Sequence, residues 1–394
     1  MCPPGNRHAM CGVGVRQERH RSGFGRERMV SRVMSADSHV LEPPDLWSKR
    51  IAARFRDRAP TIIHEHRGQT GDFLYCPPLP PFNVTSLGSA GIPAEEQERF
   101  ALGGYAVCRP GGWDPAERIK DMDLDGVDVE IFFCGLTMFF FQHPDEELQR
   151  EIFRAYNDFA HEYASYNPKR LIPVAAISMT DPQEALKEAE RCAKLGFRGV
   201  FISNDPAPER RYDNPMWEPF WSFCEEADLP VNIHILTGQR GTGMGSHAIA
   251  DYMKLHTYAV TSILEMICAG VFERHPRLKV ISVENDIGWL AHHLKRLEHA
   301  SYRFGHRFPA MKMNAADYWR RQVYATFQDD VPGVLTRHLI GVDRLMWGSD
   351  YPHFDSTFPH SREQIAKNFA GVPEEEQALI LGGTMARVYN LSLD

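Results

Sequence analysis

Eight short runs of β-branched and apolar residues recur along this chain, and helical patterns fill most of the gaps between them. The runs occupy 33–40, 127–133, 171–177, 199–202, 231–236, 278–283, 323–327 and 344–347. Near-continuous apolar runs of this length are what strands covered on both faces require. The stretches 146–166, 182–195 and 214–227 repeat apolar residues at helical spacing, and each opens near an Asp, Asn or Pro. Gly or Pro precedes the following run, as in Leu-Gly-Phe-Arg-Gly-Val and Asp-Leu-Pro-Val-Asn. Eight β-then-α units within 394 residues predict an α/β fold of the (β/α)8 TIM-barrel type. A doubly wound open sheet is the alternative, disfavoured because no Gly-x-Gly-x-x-Gly follows the first run.

Two long segments interrupt the repeat, after strands one and five. Residues 42–118 are rich in Pro and Gly, and residues 237–276 open on a Gly-rich stretch before an apolar helical pattern. Both follow the carboxyl end of a strand, the barrel face where long loops wall or cover a pocket. They are therefore expected to belong to one barrel domain spanning 34–394. The Arg-rich residues 1–33 lack strand or helix periodicity and an apolar signal core, so they are expected to form a disordered extension.

A formal charge of −8 argues against nucleic-acid binding, which rests on neutralising phosphates. No apolar run approaches the roughly 20 residues of a membrane helix. The 8 cysteines are scattered without a Cys-x-x-Cys pair, the pattern of reduced thiols in a cytoplasmic protein.

Three of the eight runs end on oxygen or imidazole donors. Asp37 and His39 close the first with the period-two spacing that puts both on one face of a strand. His234 closes Leu-Pro-Val-Asn-Ile-His, and Asp350 follows Met-Trp-Gly-Ser. Each alone has a plain alternative: a helix-capping Asp, or a hydrogen-bonded core His. Together, at the carboxyl ends of three strands of one barrel, they point to a metal-holding mouth and hence to an enzyme.

The runs Ala-Asp37-Ser-His39-Val-Leu-Glu42-Pro, Glu-Arg118-Ile-Lys-Asp-Met-Asp-Leu-Asp-Gly-Val-Asp, Leu-Pro-Val-Asn-Ile-His234 and Trp-Gly-Ser-Asp350-Tyr-Pro-His-Phe-Asp resemble the amidohydrolase-related family. The likeness is to the branch typified by aminocarboxymuconate-semialdehyde decarboxylase and γ-resorcylate decarboxylase. It implies one divalent metal held by Asp37, His39, His234 and Asp350. Two imidazoles with two carboxylates suit Zn2+ first, and Mn2+ or Fe2+ as well. It also implies a small carboxylated substrate and is compatible with a homodimer.

One departure stands out. The family's decarboxylases carry a catalytic His at the end of strand six, where this chain has Ile-Ser-Val-Glu284-Asn-Asp. Glu284 is either a general base, a further metal ligand or a structural ion-pair partner. His247, His256 and His353 are candidates for the missing imidazole, whereas His292 and His293 fall on the expected following helix. Arg109, Arg118 and Arg240 are candidates for a carboxylate-binding fork, each equally readable as a structural arginine. The aromatics of 138–142 either line a pocket or pack the core.

Non-oxidative decarboxylation is the leading expectation, with Asp350 and Glu284 as the catalytic groups. The alternatives are metal-dependent hydrolysis of an ester, amide or lactone bond, and a non-heme di-iron oxygenase using Glu284 as an extra carboxylate.

Overall fold

The computed structural model describes residues 32–238 and 248–392. The expectations for residues 1–31, Arg240 and His247 fall outside them. Strand β1 (Met34–Ser35) leads into the first insertion, whose strands β2 (Thr61–His66), β3 (Gln69–Tyr75) and β4 (Phe82–Asn83) form a separate antiparallel sheet. Its hairpin turns on Arg67 and Gly68, both at positive φ (52° and 76°), the two-residue geometry that matches strand twist. Phe82 stacks on Phe139 at 3.8 Å between ring centroids and ties this sheet to the barrel.

The barrel continues with β5 (Val129–Phe132), β6 (Leu171–Pro173), β7 (Ala175–Ala176), β8 (Val200–Ile202) and β9 (Val231–His234). It ends with β10 (Val280–Val283), β11 (Val323–Phe327) and β12 (Leu345–Trp347). All pairings among these strands are parallel: β1–β5–β6 in one sheet and β7 through β12 in sequence in the other. β6 and β7 are two halves of one strand position, split at Val174, so the eight positions are those expected from the sequence. Backbone bonds from Ala36 N–H to Trp347 O and from Asp350 N–H to Asp37 O, both 2.9 Å, join the last strand to the first. The chain is a (β/α)8 barrel.

The surrounding helices start where their capping chemistry dictates. Asp114 and Asp181 each accept two backbone N–H bonds ahead of a Pro at the first helical position, opening Pro115–Asp125 and Pro182–Lys194. Asp145 caps Glu146–Ser165, which buries Leu148, Ile152, Tyr156, Phe159 and Tyr163 at helical spacing. The described cysteines are all unpaired, and five of the six are buried. Among the described residues, no helix is long and apolar enough to cross a membrane.

The split in the third strand position has a specific cause. Val174 N–H still reaches Phe132 O at 3.2 Å, and the next step of that register would pair Ala176 N–H with Cys134 O. Instead the fully buried Asn157 takes both Ala176 groups, accepting from N–H at 2.9 Å and donating to C=O at 3.0 Å. One side-chain amide thus stands in for a neighbouring strand and leaves the Cys134 carbonyl free. Asn157→Ala would orphan two buried backbone groups and should cost about 2–4 kcal/mol, read as a lower urea midpoint at unchanged slope.

Candidate metal centre

The carboxyl ends of β1, β9, β10 and β12 meet at one point. His39 Nε2 lies 3.6 Å from Asp37 Oδ1 and 3.3 Å from Asp350 Oδ1. His234 Nε2 lies 3.5 Å from Asp37 Oδ1 and 3.4 Å from Glu284 Oε2. His353 adds its Nδ1 at 2.9 Å from Asp350 Oδ1, and its ring stacks on that of His39 at 4.1 Å. The donor atoms fall into two overlapping groups, Asp37, His39 and His234, then His39, Glu284, Asp350 and His353, each within 4.8 Å. All four residues expected as ligands are together, and Glu284 and His353 join them.

Both central imidazoles have their tautomer set from behind. His39 Nδ1 lies 2.7 Å from the Cys134 carbonyl that the split strand leaves free, and His234 Nδ1 lies 2.9 Å from Ile235 O. A carbonyl can only accept, so each Nδ1 carries a proton and each Nε2 is turned toward the cluster. Burial, with the charge of His353 beside it, pushes His39 down to about 3, so its ring stays neutral. Asp37 Oδ1, His39 Nε2, His234 Nε2 and Glu284 Oε2 are buried without a hydrogen-bond partner among the described residues. Lone pairs facing carboxylate oxygens at 3.3–3.6 Å repel unless a cation or protons lie among them. The residues present therefore fit a divalent metal, held in the manner of metal-ligating histidines fixed by carbonyls.

Charge is distributed unevenly around the cluster. Burial raises Asp37, and burial with the charges of Asp350 and Asp37 raises Glu284 well above the usual carboxylate range. Burial opposes charge on Asp350 and His353 too, but their mutual attraction prevails: Asp350 is held below its ordinary value and His353 above its own. The Glu284 side chain is 21% exposed against 0–2% for Asp37, His39, His234 and Asp350, so it marks the open side. Glu284 and Asp350 both adopt left-handed backbone, φ 55° and 58°, a conformation that side chains other than Gly rarely take. Bonds from Glu284 N–H to Thr326 Oγ1 (2.8 Å) and from Asp350 N–H to Asp37 O (2.9 Å) hold them there. Phe133 and Phe201 close the inner side, with ring centroids 5.2 and 5.5 Å from His234.

Other sequence candidates lie elsewhere. His256 packs on Trp289 at 4.9 Å, His293 packs between Trp289 and Trp319, and His292 is exposed on the helix Leu290–Phe304. Neither described arginine offers a free fork. Arg109 pairs with Asp121, and the buried Arg118 pairs with Glu130 and the His39 carbonyl. Met138, Phe140 and Phe141 are core residues, Phe141 packing on Phe153 and Phe201. A cavity of about 610 Å3 is a charged groove between the helices Glu146–Ser165 and Pro182–Lys194, with no donor of the cluster in its lining.

A metal-binding (β/α)8 barrel with its donors at the carboxyl strand ends is the class that fold and site define. A model of the family described as Amidohydrolase matches residues 76–391, and the chain belongs to that family. It is 28% identical over 259 residues to a γ-resorcylate decarboxylase of Rhizobium radiobacter, covering 60% of this chain and 76% of that protein. It is 25% identical over 276 residues to a 2-amino-3-carboxymuconate-6-semialdehyde decarboxylase of Dictyostelium discoideum, covering 69% and 75%. A dihydroxybenzoic acid decarboxylase from Polaromonas, solved with manganese and the inhibitor 2-nitroresorcinol, superposes with a TM-score of 0.65 at 19% identity, covering 92% of this chain and 98% of that one. The chain is thus a metal-dependent enzyme of the decarboxylase branch that its motifs resemble.

The raised Glu284 carboxyl has a stability consequence. In chelator-treated protein it costs stability at neutral pH, where unfolding returns the ionised group to water, and nothing below the ordinary carboxylate range, where both states are protonated. Glu284→Gln should therefore raise the melting temperature of that protein at pH 7, with the advantage fading as pH falls toward about 4. A melting series across pH checks it, and an unchanged or lower melting temperature at pH 7 would contradict it.

Proposed function

We propose that this protein catalyses non-oxidative decarboxylation of a small aromatic or unsaturated carboxylic acid, with Asp37, His39, His234 and Asp350 as ligands of one divalent ion. Zn2+ is the first choice, with Mn2+ or Fe2+ compatible with the same donors. The observation that carries this reading is the convergence of lone-pair atoms that have no partner except one another. Membership of a family that includes the two decarboxylases above supports the reaction type. When bound, the ion supplies the positive charge that draws a substrate carboxylate and a neighbouring oxygen to this end of the barrel.

The chain's own side chains do the rest. His39 and His234 keep protons on Nδ1 and serve as fixed nitrogen donors. Asp350 and His353 act as the proton couple: His353 Nδ1 holds a proton against Asp350 Oδ1, which delivers it to the ring or alkene carbon bearing the carboxylate. The bond to the carboxyl group then breaks, its electron pair returns to the ring or alkene, and CO2 leaves. Glu284, at the open edge where relatives are expected to carry a His, donates a hydrogen bond to a substrate oxygen. Phe133 and Phe201 keep water from the inner side.

Glu284 also favours a second reading. A third carboxylate beside two imidazoles suits a di-iron oxygenase.

Elemental analysis of the purified protein, followed by hydroxylated aromatic acids under nitrogen with CO2 detection, separates the cases. CO2 release without oxygen is expected, and Asp350→Asn should lower turnover by about 10²–10⁴-fold in a folded protein. Two irons per chain with oxygen-dependent turnover would establish the second reading. Ester or amide cleavage without CO2 would overturn both.

A further inference from the structure

Behind the metal centre, outside the barrel wall, lies a buried polar clamp that neither the ligand set nor the proposed chemistry uses. The helix Pro115–Asp125 turns Arg118 and Asp121, three residues apart and so on one face, toward Tyr351. The Arg118 guanidinium lies over the Tyr351 ring, 4.2 Å from its centroid, and the Tyr351 hydroxyl donates to Asp121. Arg118 is only 1% exposed and is held by Glu130 on β5 through Nε at 2.6 Å. Its Nη1 donates to the His39 carbonyl at 2.7 Å, while His39 N–H donates to the Tyr351 carbonyl at 2.6 Å. A single guanidinium therefore grips both segments that carry ligands from opposite ends of the chain: His39 directly, and Asp350 through its neighbour Tyr351. The approach is close, since a Cβ on Gly111 would come within 2.5 Å of the Tyr351 hydroxyl.

We propose that Arg118 is a positioning residue that fixes the separation of His39 from Asp350, working through the face of the Tyr351 ring, and so sets metal affinity. The proposal rests on the metal centre proposed above. A cation on a ring face, shielded from water, is a directional contact, and the planar fork engages Glu130 and the His39 carbonyl in one plane. Lysine keeps the charge but cannot make both bonds in that geometry. Phenylalanine at 351 keeps the ring face and loses only the hydroxyl, whereas leucine loses the face.

The test loads full-length protein and the variants Arg118→Lys, Tyr351→Leu and Tyr351→Phe with Co2+. It records the visible spectrum, the rate of Co2+ release to a chelator and the melting temperature of the chelator-treated forms. Arg118→Lys and Tyr351→Leu should release the ion at least 10-fold faster with an altered spectrum, while Tyr351→Phe stays near the parent and the chelator-treated forms melt alike. Parental release rates and spectra in both Arg118→Lys and Tyr351→Leu would overturn the clamp alone. So would faster release accompanied by an equal fall in chelator-treated melting temperature and an unchanged spectrum, which would mark ordinary packing. A parent chain that takes up no divalent ion would overturn the metal centre and the clamp together.

Discussion

The mutual repulsion of lone pairs and carboxylates at one end of the barrel is the constraint on which the site depends. Asp37, His39, His234, Glu284 and Asp350 reach that point from four different strand ends. Their side chains are buried or nearly so, and a low-dielectric surrounding magnifies the cost of leaving such groups uncompensated. A protein holds this arrangement at neutral pH only with protons or a cation to offset it. The Nδ1 atoms of His39 and His234 face backbone carbonyls, so both Nε2 atoms are turned toward the carboxylates, the arrangement that suits a bound cation.

That commitment is made by the backbone. The Cys134 carbonyl is available to His39 because the third strand position breaks at Val174 and Asn157 satisfies Ala176 in place of the next strand. An irregularity in the sheet thus orients His39, two strands away. Left-handed backbone at Glu284 and Asp350 is the same kind of feature: both carboxylates are swung into the cluster by a conformation that their neighbours hold in place. Two of the positive-φ residues, Glu284 and Asp350, lie in the cluster, while the helices around it follow ordinary capping and amphipathic rules.

Much of this was legible from the residues. Parallel strands covered on both faces read as apolar runs, so all eight positions are visible in sequence, and Asp and Pro mark the helix starts. Asp37 and His39 announce themselves by period-two spacing, and His234 and Asp350 by closing apolar runs. Glu284 was visible as a departure from the family pattern, but its place in the cluster was not, because that follows from a positive φ that no local motif requires. Among the histidines offered as substitutes, His353 reaches the site and His256 does not. Sequence distance from a ligand separates these two, three residues from Asp350 against more than twenty from His234, but spacing alone does not say which way a loop turns. Arg109 and Arg118 are equally readable in sequence as substrate forks or as structural arginines, and the structure gives the second, each held by a carboxylate through long-range pairing across the barrel wall.

By itself the sequence determined the eight-unit barrel, the strand ends at which the candidate donors lie and the imidazole–carboxylate character of the cluster, because period and capping are local properties of the chain. Only the tertiary structure decided that Glu284 and His353 join those donors, that Arg118 stands behind them, and that a broken strand releases the carbonyl that orients His39. Each of these depends on atoms brought together from distant parts of the chain, whose approach is set by packing and backbone conformation rather than by any pattern within a single segment.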